Sequence, residues 1–173
     1  MKRNITIITI ALKVLLIALA LYIAVYALAM LAQFIVNGSD VSRALLDDVF
    51  TPLKPAAPGV EAAFMLLYSV LLVFLFTRLN NFRLTLKSLK TAEVFETNQA
   101  ESFRKTGSGI IIFAKLKYLL ICGFGSIGML DIRTFFNQAL PYLALYITGK
   151  FILILAEMLK RGEMLREETE LTI

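Results

Sequence analysis

The sequence has no histidine, no tryptophan and a single cysteine. Without histidine, the common nucleophile–histidine chemistries are excluded, along with most zinc, copper and haem sites. One cysteine cannot close an intrachain disulfide. Cys122 lies deep in an apolar run, where a thiol behaves as a small hydrophobe rather than a reactive thiolate. Charge is scarce too. Only 18% of the 173 residues are charged and 58% are apolar, whereas a soluble domain averages about 25% charged and 45–50% apolar. The charges are clustered and leave long uncharged stretches, which is the pattern of a chain that lies in a bilayer. The mean hydropathy is +0.76.

What is present is apolar length. A helix rises about 1.5 Å per residue, so about 20 residues cross a hydrocarbon core of roughly 30 Å. Four segments meet this requirement: about 14–36, 60–77, 109–130 and 136–159. Backbone groups in hydrocarbon must be satisfied within the segment, and a barrel would show short alternating strands instead. The predicted fold is therefore all-α, a polytopic helical bundle with four transmembrane helices, the whole of 1–173 being one membrane domain. The N-terminus, Met1-Lys2-Arg3 before an apolar stretch and Ala27-Leu28-Ala29, looks like a signal peptide. However, the run from Ile5 to Val36, interrupted by Lys13 and Gln33, far exceeds an h-region of roughly 7–15 residues. It reads as a retained span.

The net charge is +5. The excess sits beside the spans: Lys2 and Arg3; Arg78, Arg83, Lys87, Lys90, Arg104 and Lys105; and Lys160, Arg161 and Arg166. By the positive-inside rule, the N-terminus, the loop 78–107 and the tail 160–173 face the cytoplasm, so both termini are inside. No interleaving of basic and aromatic residues on a soluble domain supports direct nucleic-acid binding. In the outer loop, Val41, Leu45, Leu46, Val49 and Phe50 have helical spacing after Ser39-Asp40. Prolines 52, 55 and 58 then force an extended return. In the inner loop, Phe82, Leu86 and Leu89 share one face and Arg83, Lys87 and Lys90 the next, predicting an amphipathic helix that continues the second span. Asn98 and Glu101 have the spacing of a capping box at the start of the helix leading into the third span.

Four lysines fall within or beside the spans: Lys13, Lys115, Lys117 and Lys150. Each is expected at roughly 9–15 Å depth from the inner surface. Two readings stand. The lysines snorkel independently to that surface, or they form a basic pocket for a lipid phosphate or another anion. Glu157 is the carboxylate nearest this depth, with Lys115, Lys117, Lys160 or Arg161 as partners. Mid-span carboxylates of the kind a small proton-coupled exporter needs are missing. Gly123, Gly125 and Gly128 read as a packing face. Pro141 and Gly149 allow a kink or close contact. No paired carboxylates or metal-ligand cluster suggests an enzyme or a cofactor.

Two stretches resemble a known family. One runs from Phe95-Glu96-Thr97-Asn98 to Phe103-Arg104-Lys105-Thr106-Gly107. The other is Gly162-Glu163-Met164-Leu165-Arg166-Glu167-Glu168-Thr169-Glu170-Leu171-Thr172-Ile173. Over its last three spans the chain is similar to a bacterial family of small multipass membrane proteins, domain of unknown function 2975. It departs from that pattern at Glu170, usually Asp, and Thr169, often Asn. The resemblance implies a four-span protein of the bacterial cytoplasmic membrane and a small helix-turn-helix regulator as a partner. It supplies no catalytic residue. It draws attention to Phe95, Asn98, Gly107, Leu171 and Thr172 as partner-docking positions.

The functional expectation is a non-enzymatic membrane protein that presents its cytoplasmic loop and tail to a partner. The alternative is a small transporter or homo-oligomeric pore for an anionic or amphiphilic compound. The topology has a direct test. Lys90→Cys in a Cys122→Ser background is expected to resist impermeant thiol reagents in intact cells; labelling from outside would overturn the orientation.

Overall fold

The computed structural model describes residues 2–36, 58–91, 98–128 and 132–170. They form four helices: α1 (Lys2–Val36), α2 (Pro58–Thr91), α3 (Asn98–Gly128) and α4 (Ile132–Glu170). Each contains a segment long and apolar enough to cross a membrane: Ile5–Leu28, Ala62–Lys87, Gln99–Phe124 and Phe135–Leu165. Among the described residues there is no strand, and the architecture is the all-α bundle of a multipass membrane protein. The outer-loop helix expected near 41–50, Phe95, Leu171 and Thr172 lie outside the described residues.

The described segment of α1 that is long and apolar enough to cross a membrane, Ile5–Leu28, includes Lys13. Its side chain is exposed, and one long flexible stem is compatible with a helix that is apolar on all sides. Ile7, Val14, Leu21 and Leu28 are all exposed on α1, as expected of a helix whose surroundings are lipid. Several hydroxyls in the spans are satisfied within their own helix. Ser69 Oγ donates to the Met65 carbonyl at 2.7 Å, Thr77 Oγ1 to Val73 at 2.9 Å and Thr148 Oγ1 to Ala144 at 2.8 Å. This local bonding removes the cost of a polar group in hydrocarbon.

The helices pack in chain order, α1 on α2, α2 on α3 and α3 on α4, and the α3–α4 contact is the most extensive. Among the described residues no Cα of α1 comes within 8 Å of one in α3 or α4. The core has two parts. Tyr26, Phe64, Tyr68, Leu72, Phe113 and Ile121 form one cluster. Within it, Tyr26 tilts against Tyr68 at 5.4 Å and Phe64 stacks on Tyr68 at 5.7 Å. The second cluster lies nearer the chain's N-terminus and joins Leu12, Leu86, Phe103, Ile110, Ile152 and Ala156.

Glycines set the α3–α4 crossing, and they include Gly149, which the sequence offered as a close contact, but not Gly123. Gly123 has open space where a Cβ would stand. The tight contact is made by Gly107 and Gly149. A Cβ on Gly107 would lie 2.9 Å from the Gly149 carbonyl oxygen, and one on Gly149 would lie 2.6 Å from Ile111 Cγ1. Both are buried, so Gly107 serves the helix crossing and is not a surface for a docking partner. Small residues let backbones approach in this way.

The crossing predicts an asymmetry among glycine substitutions. Gly149→Val should lower thermal stability in detergent by about 1–3 kcal/mol, the range for overpacking. Gly123→Ala should leave it unchanged or raise it by up to about 1 kcal/mol through helix propensity. Equal melting temperatures for wild type and Gly149→Val would refute the crossing.

Candidate functional site

The basic residues gather at one end of the bundle, where α1 begins, α2 ends, α3 begins and α4 ends. Contacts fix the register there. Gly109 lies against Arg78, and Gly107 against Gly149. Equal steps along α1 and α2 from the Tyr26–Tyr68 contact place Lys13 level with Asn81. Lys13, Asn81, Lys105 and Lys150 therefore occupy one layer. Lys117 lies about 15 Å away along the bundle axis, ten residues beyond Gly107.

The four lysines do not converge. Lys13 is exposed on α1, and Lys115 and Lys150 are exposed on α3 and α4. The Lys150 ammonium sits 5.7 Å from the centre of the Tyr146 ring. Lys115 and Lys117, two residues apart, point about 200° apart around α3. Lys117 alone is half-buried. It lines a void of about 10 Å³ with Gln138, Tyr118, Pro141 and Tyr142, which holds no more than a single water. Among the described residues no carboxylate pairs with it. Glu157 instead accepts from Arg161 Nη2 at 2.6 Å on the same helix.

A different set of residues does converge. α2 continues past the apolar run to Thr91 and pairs antiparallel with the first turns of α3. Phe82 and Leu86 turn inward, Phe82 meeting Phe103 edge-on at 4.9 Å. Lys87 is exposed, as the amphipathic pattern predicts, and Arg83 is half-buried. On the adjoining face a cavity of about 370 Å³ opens between the helices. Arg78, Asn81, Leu84 and Thr85 line it from α2, and Glu101, Ser102, Lys105 and Thr106 from α3. Both sets recur at intervals of three or four residues, so each is one helical stripe.

The polar groups of this cavity are ordered. Thr85 Oγ1 donates to the Asn81 carbonyl at 3.1 Å and shares a hydrogen bond with Ser102 Oγ across the helix pair. Thr106 Oγ1, fully buried, donates to the Ser102 carbonyl at 2.9 Å. The Arg78 stem lies along α3 because Gly109 leaves room for it; a Cβ there would stand 2.8 Å from Arg78 Cγ. The guanidinium carbon is 5.0 Å from the centre of the Phe74 ring, a cation–π contact that favours this orientation. Among the described residues no carboxylate pairs with Arg78. Glu101 Oε1 is held by Lys105 Nζ at 2.7 Å. The capping-box carboxylate thus points forward along α3, in the favoured i, i+4 order.

Sequence reading singled out Lys13, Lys115, Lys117 and Lys150 as a possible anion site, took Arg78 and Lys105 only as markers of the inner face, and passed over Asn81, Thr85 and Ser102. The signal was the polar stripe on each helix. Pairing the stripes required the register. α3 begins at Asn98, with Glu101 in its first turn. Among the described residues, no His, Cys, Asp and Glu side chains form a set able to hold a metal. Comparison with protein-family models, with curated proteins and with solved structures gives no match for this chain.

The contrast between the two neighbouring lysines is measurable. Lys117→Met removes a half-buried cation and should raise thermal stability in detergent, by a fraction of the roughly 2.5–3.5 kcal/mol that a mid-bilayer lysine costs. Lys115→Met, on the lipid side, should stay within about 0.5 kcal/mol of wild type. Equal shifts for both would contradict their placement.

Proposed function

We propose that this chain is a non-enzymatic protein of the bacterial cytoplasmic membrane, with both termini inside, that holds a cytoplasmic partner on its 78–107 loop and tail. The observation that carries this reading is the helical projection at the basic end. α2 and α3 extend as a paired hairpin beyond Arg78 and Gly109. α4 runs on to Glu170. By the register of the Gly107–Gly149 crossing, its last dozen or so residues pass the first residue of α3, a reach of roughly 18 Å.

Such a projection is more than topology requires. A few lysines and arginines in short loops suffice to orient a span. Here the hairpin has its own apolar contacts, a hydrogen bond between its helices and a basic outer face. The tail adds charges of both signs, with Glu157 and Arg161 paired at its root. A helical platform beside a charged helix is the kind of surface that selects a partner by electrostatic complementarity. The resemblance to domain of unknown function 2975 makes a small helix-turn-helix regulator the partner to seek. Transport of an anion has less support, because Lys115, Lys117 and Lys150 lie on different faces and at different levels.

The test is a pull-down with the full-length protein. The comparison uses a chain ending at Arg161 and the double variant Arg83→Gln/Lys87→Gln. Wild type should enrich a cytoplasmic protein that both variants lose. Identical partner sets for all three would reject the reading.

A further inference from the structure

The cavity at the root of the hairpin has a chemistry of its own, which holds whether or not a partner docks on the hairpin. We propose that it seats a phosphodiester monoanion between Arg78 and Lys105, as the head of an anionic phospholipid or as a soluble phosphodiester.

The donors are the right kind for phosphate. Arg78 offers a planar fork of N–H groups, Lys105 an ammonium, and Asn81, on the same wall, an amide. Thr85 and Ser102 are bonded to each other, so they form the floor rather than the grip. The volume of about 370 Å³ falls at the lower end for small-ligand sites, which suits a head group. Arg78 is held in place before any ligand arrives, by Phe74 beneath it and by the missing Cβ of Gly109. A cation already fixed loses little freedom on binding.

Charge narrows the ligand class. Glu101 neutralises Lys105, so the cavity carries the single uncompensated charge of Arg78. A phosphodiester brings one negative charge and balances it. A phosphate monoester carries about −1.5 to −2 near pH 7 and would have to draw Lys105 away from Glu101. Position narrows the source. Arg78, on the cavity wall, directly follows the apolar run 60–77. A lipid can therefore lay its chains along α2 while its head enters the cavity.

Native mass spectrometry of the full-length protein, titrated with phosphatidylglycerol in detergent, tests the assignment. Diacylglycerol serves as the phosphate-free control. Wild type should retain phosphatidylglycerol and release diacylglycerol. Arg78→Gln should weaken retention about tenfold or more. Lys160→Gln, an equal loss of charge at the same end, should not. Gly109→Ala should also weaken it, by displacing Arg78 without touching the ligand. Glu101→Gln should strengthen binding and admit phosphatidic acid, a gain that misfolding cannot imitate. Glycerophosphoglycerol added as competitor separates the sources. Displacement assigns the site to soluble phosphodiesters, and persistence of the bound lipid assigns it to the membrane; both uphold it. The proposal is overturned if Arg78→Gln retains lipid like wild type, if Arg78→Gln and Lys160→Gln lose it alike, or if diacylglycerol is held as tightly.

Discussion

Two helices can approach to backbone contact only where neither carries a side chain, and α3 and α4 do so at Gly107 and Gly149. That contact removes the freedom to slide. Once it is made, Lys150 is level with Gly107, Tyr142 with Tyr118, and the final turns of α4 are carried past the start of α3. α2 is locked to the same frame one step away, because Arg78 needs the space that Gly109 leaves. In lipid this matters more than in water. The surrounding chains are as apolar as leucine, so burial alone does not hold helices together, and close packing must. Both glycines stand at the basic end, where polar side chains have to be placed accurately, and neither stands among the aromatic rings of the far end.

The same frame explains why the cationic groups of this chain differ in character. Lys13, Lys115 and Lys150 are exposed, and each can carry its charge along its own stem toward water. Lys150 also lies near an aromatic face. Arg78 has none of that freedom, since its stem is laid along α3 and its head is set over Phe74. Fixing a guanidinium costs conformational entropy. The stacking and the close fit offset it only in part, as an exposed cation–π contact is worth about 0.5–1 kcal/mol. A restrained cation facing an open cavity is thus easier to understand as a binding group than as a topological marker.

Much of the fold was legible because hydrocarbon imposes a single rule on the backbone. Four apolar lengths had to be helices, and the 82–86 amphipathic face had to turn Phe82 and Leu86 inward, as it does. The site was less legible, for a reason that particular residues show. Gly123, Gly125 and Gly128 look like a packing stripe on one helix, yet Gly123 faces open space. Which glycine is used depends on the face that meets the neighbour, and one helix alone does not specify that. The same holds for the carboxylates. Glu157 had Lys115 or Lys117 across a helix contact and Lys160 or Arg161 at the surface as candidate partners, and it is Arg161, one turn away, that it takes. Glu101 likewise pairs forward with Lys105. Local i, i+4 pairs form without any tertiary register, so they win wherever a partner is available at that spacing. The stripes Arg78-Asn81-Thr85 and Ser102-Lys105-Gly109 could be read singly, but their meeting is a property of two helices.

The partner docking and the phosphodiester binding proposed above would use neighbouring parts of one hairpin, and the packing says how they would relate. The outer face with Arg83 and Lys87 and the wall with Arg78, Asn81 and Thr85 belong to the same continuous helix, about a third to half a turn apart. Any change in how α2 lies on α3 therefore moves both. Among the described residues, the groups that resist such a change include the Thr85–Ser102 hydroxyl bond, the Phe82–Phe103 edge contact, the fit of Arg78 against Gly109 and the apolar residues of the second core cluster. A head group held by Arg78 on one helix and Lys105 on the other would add a bridge at the level where the hairpin leaves the apolar zone. Its effect on the platform would be stiffening rather than reshaping. By linkage, whatever a partner gains from a stiffened hairpin the head group gains equally from the partner. On this view the lipid is a structural element of the docking surface.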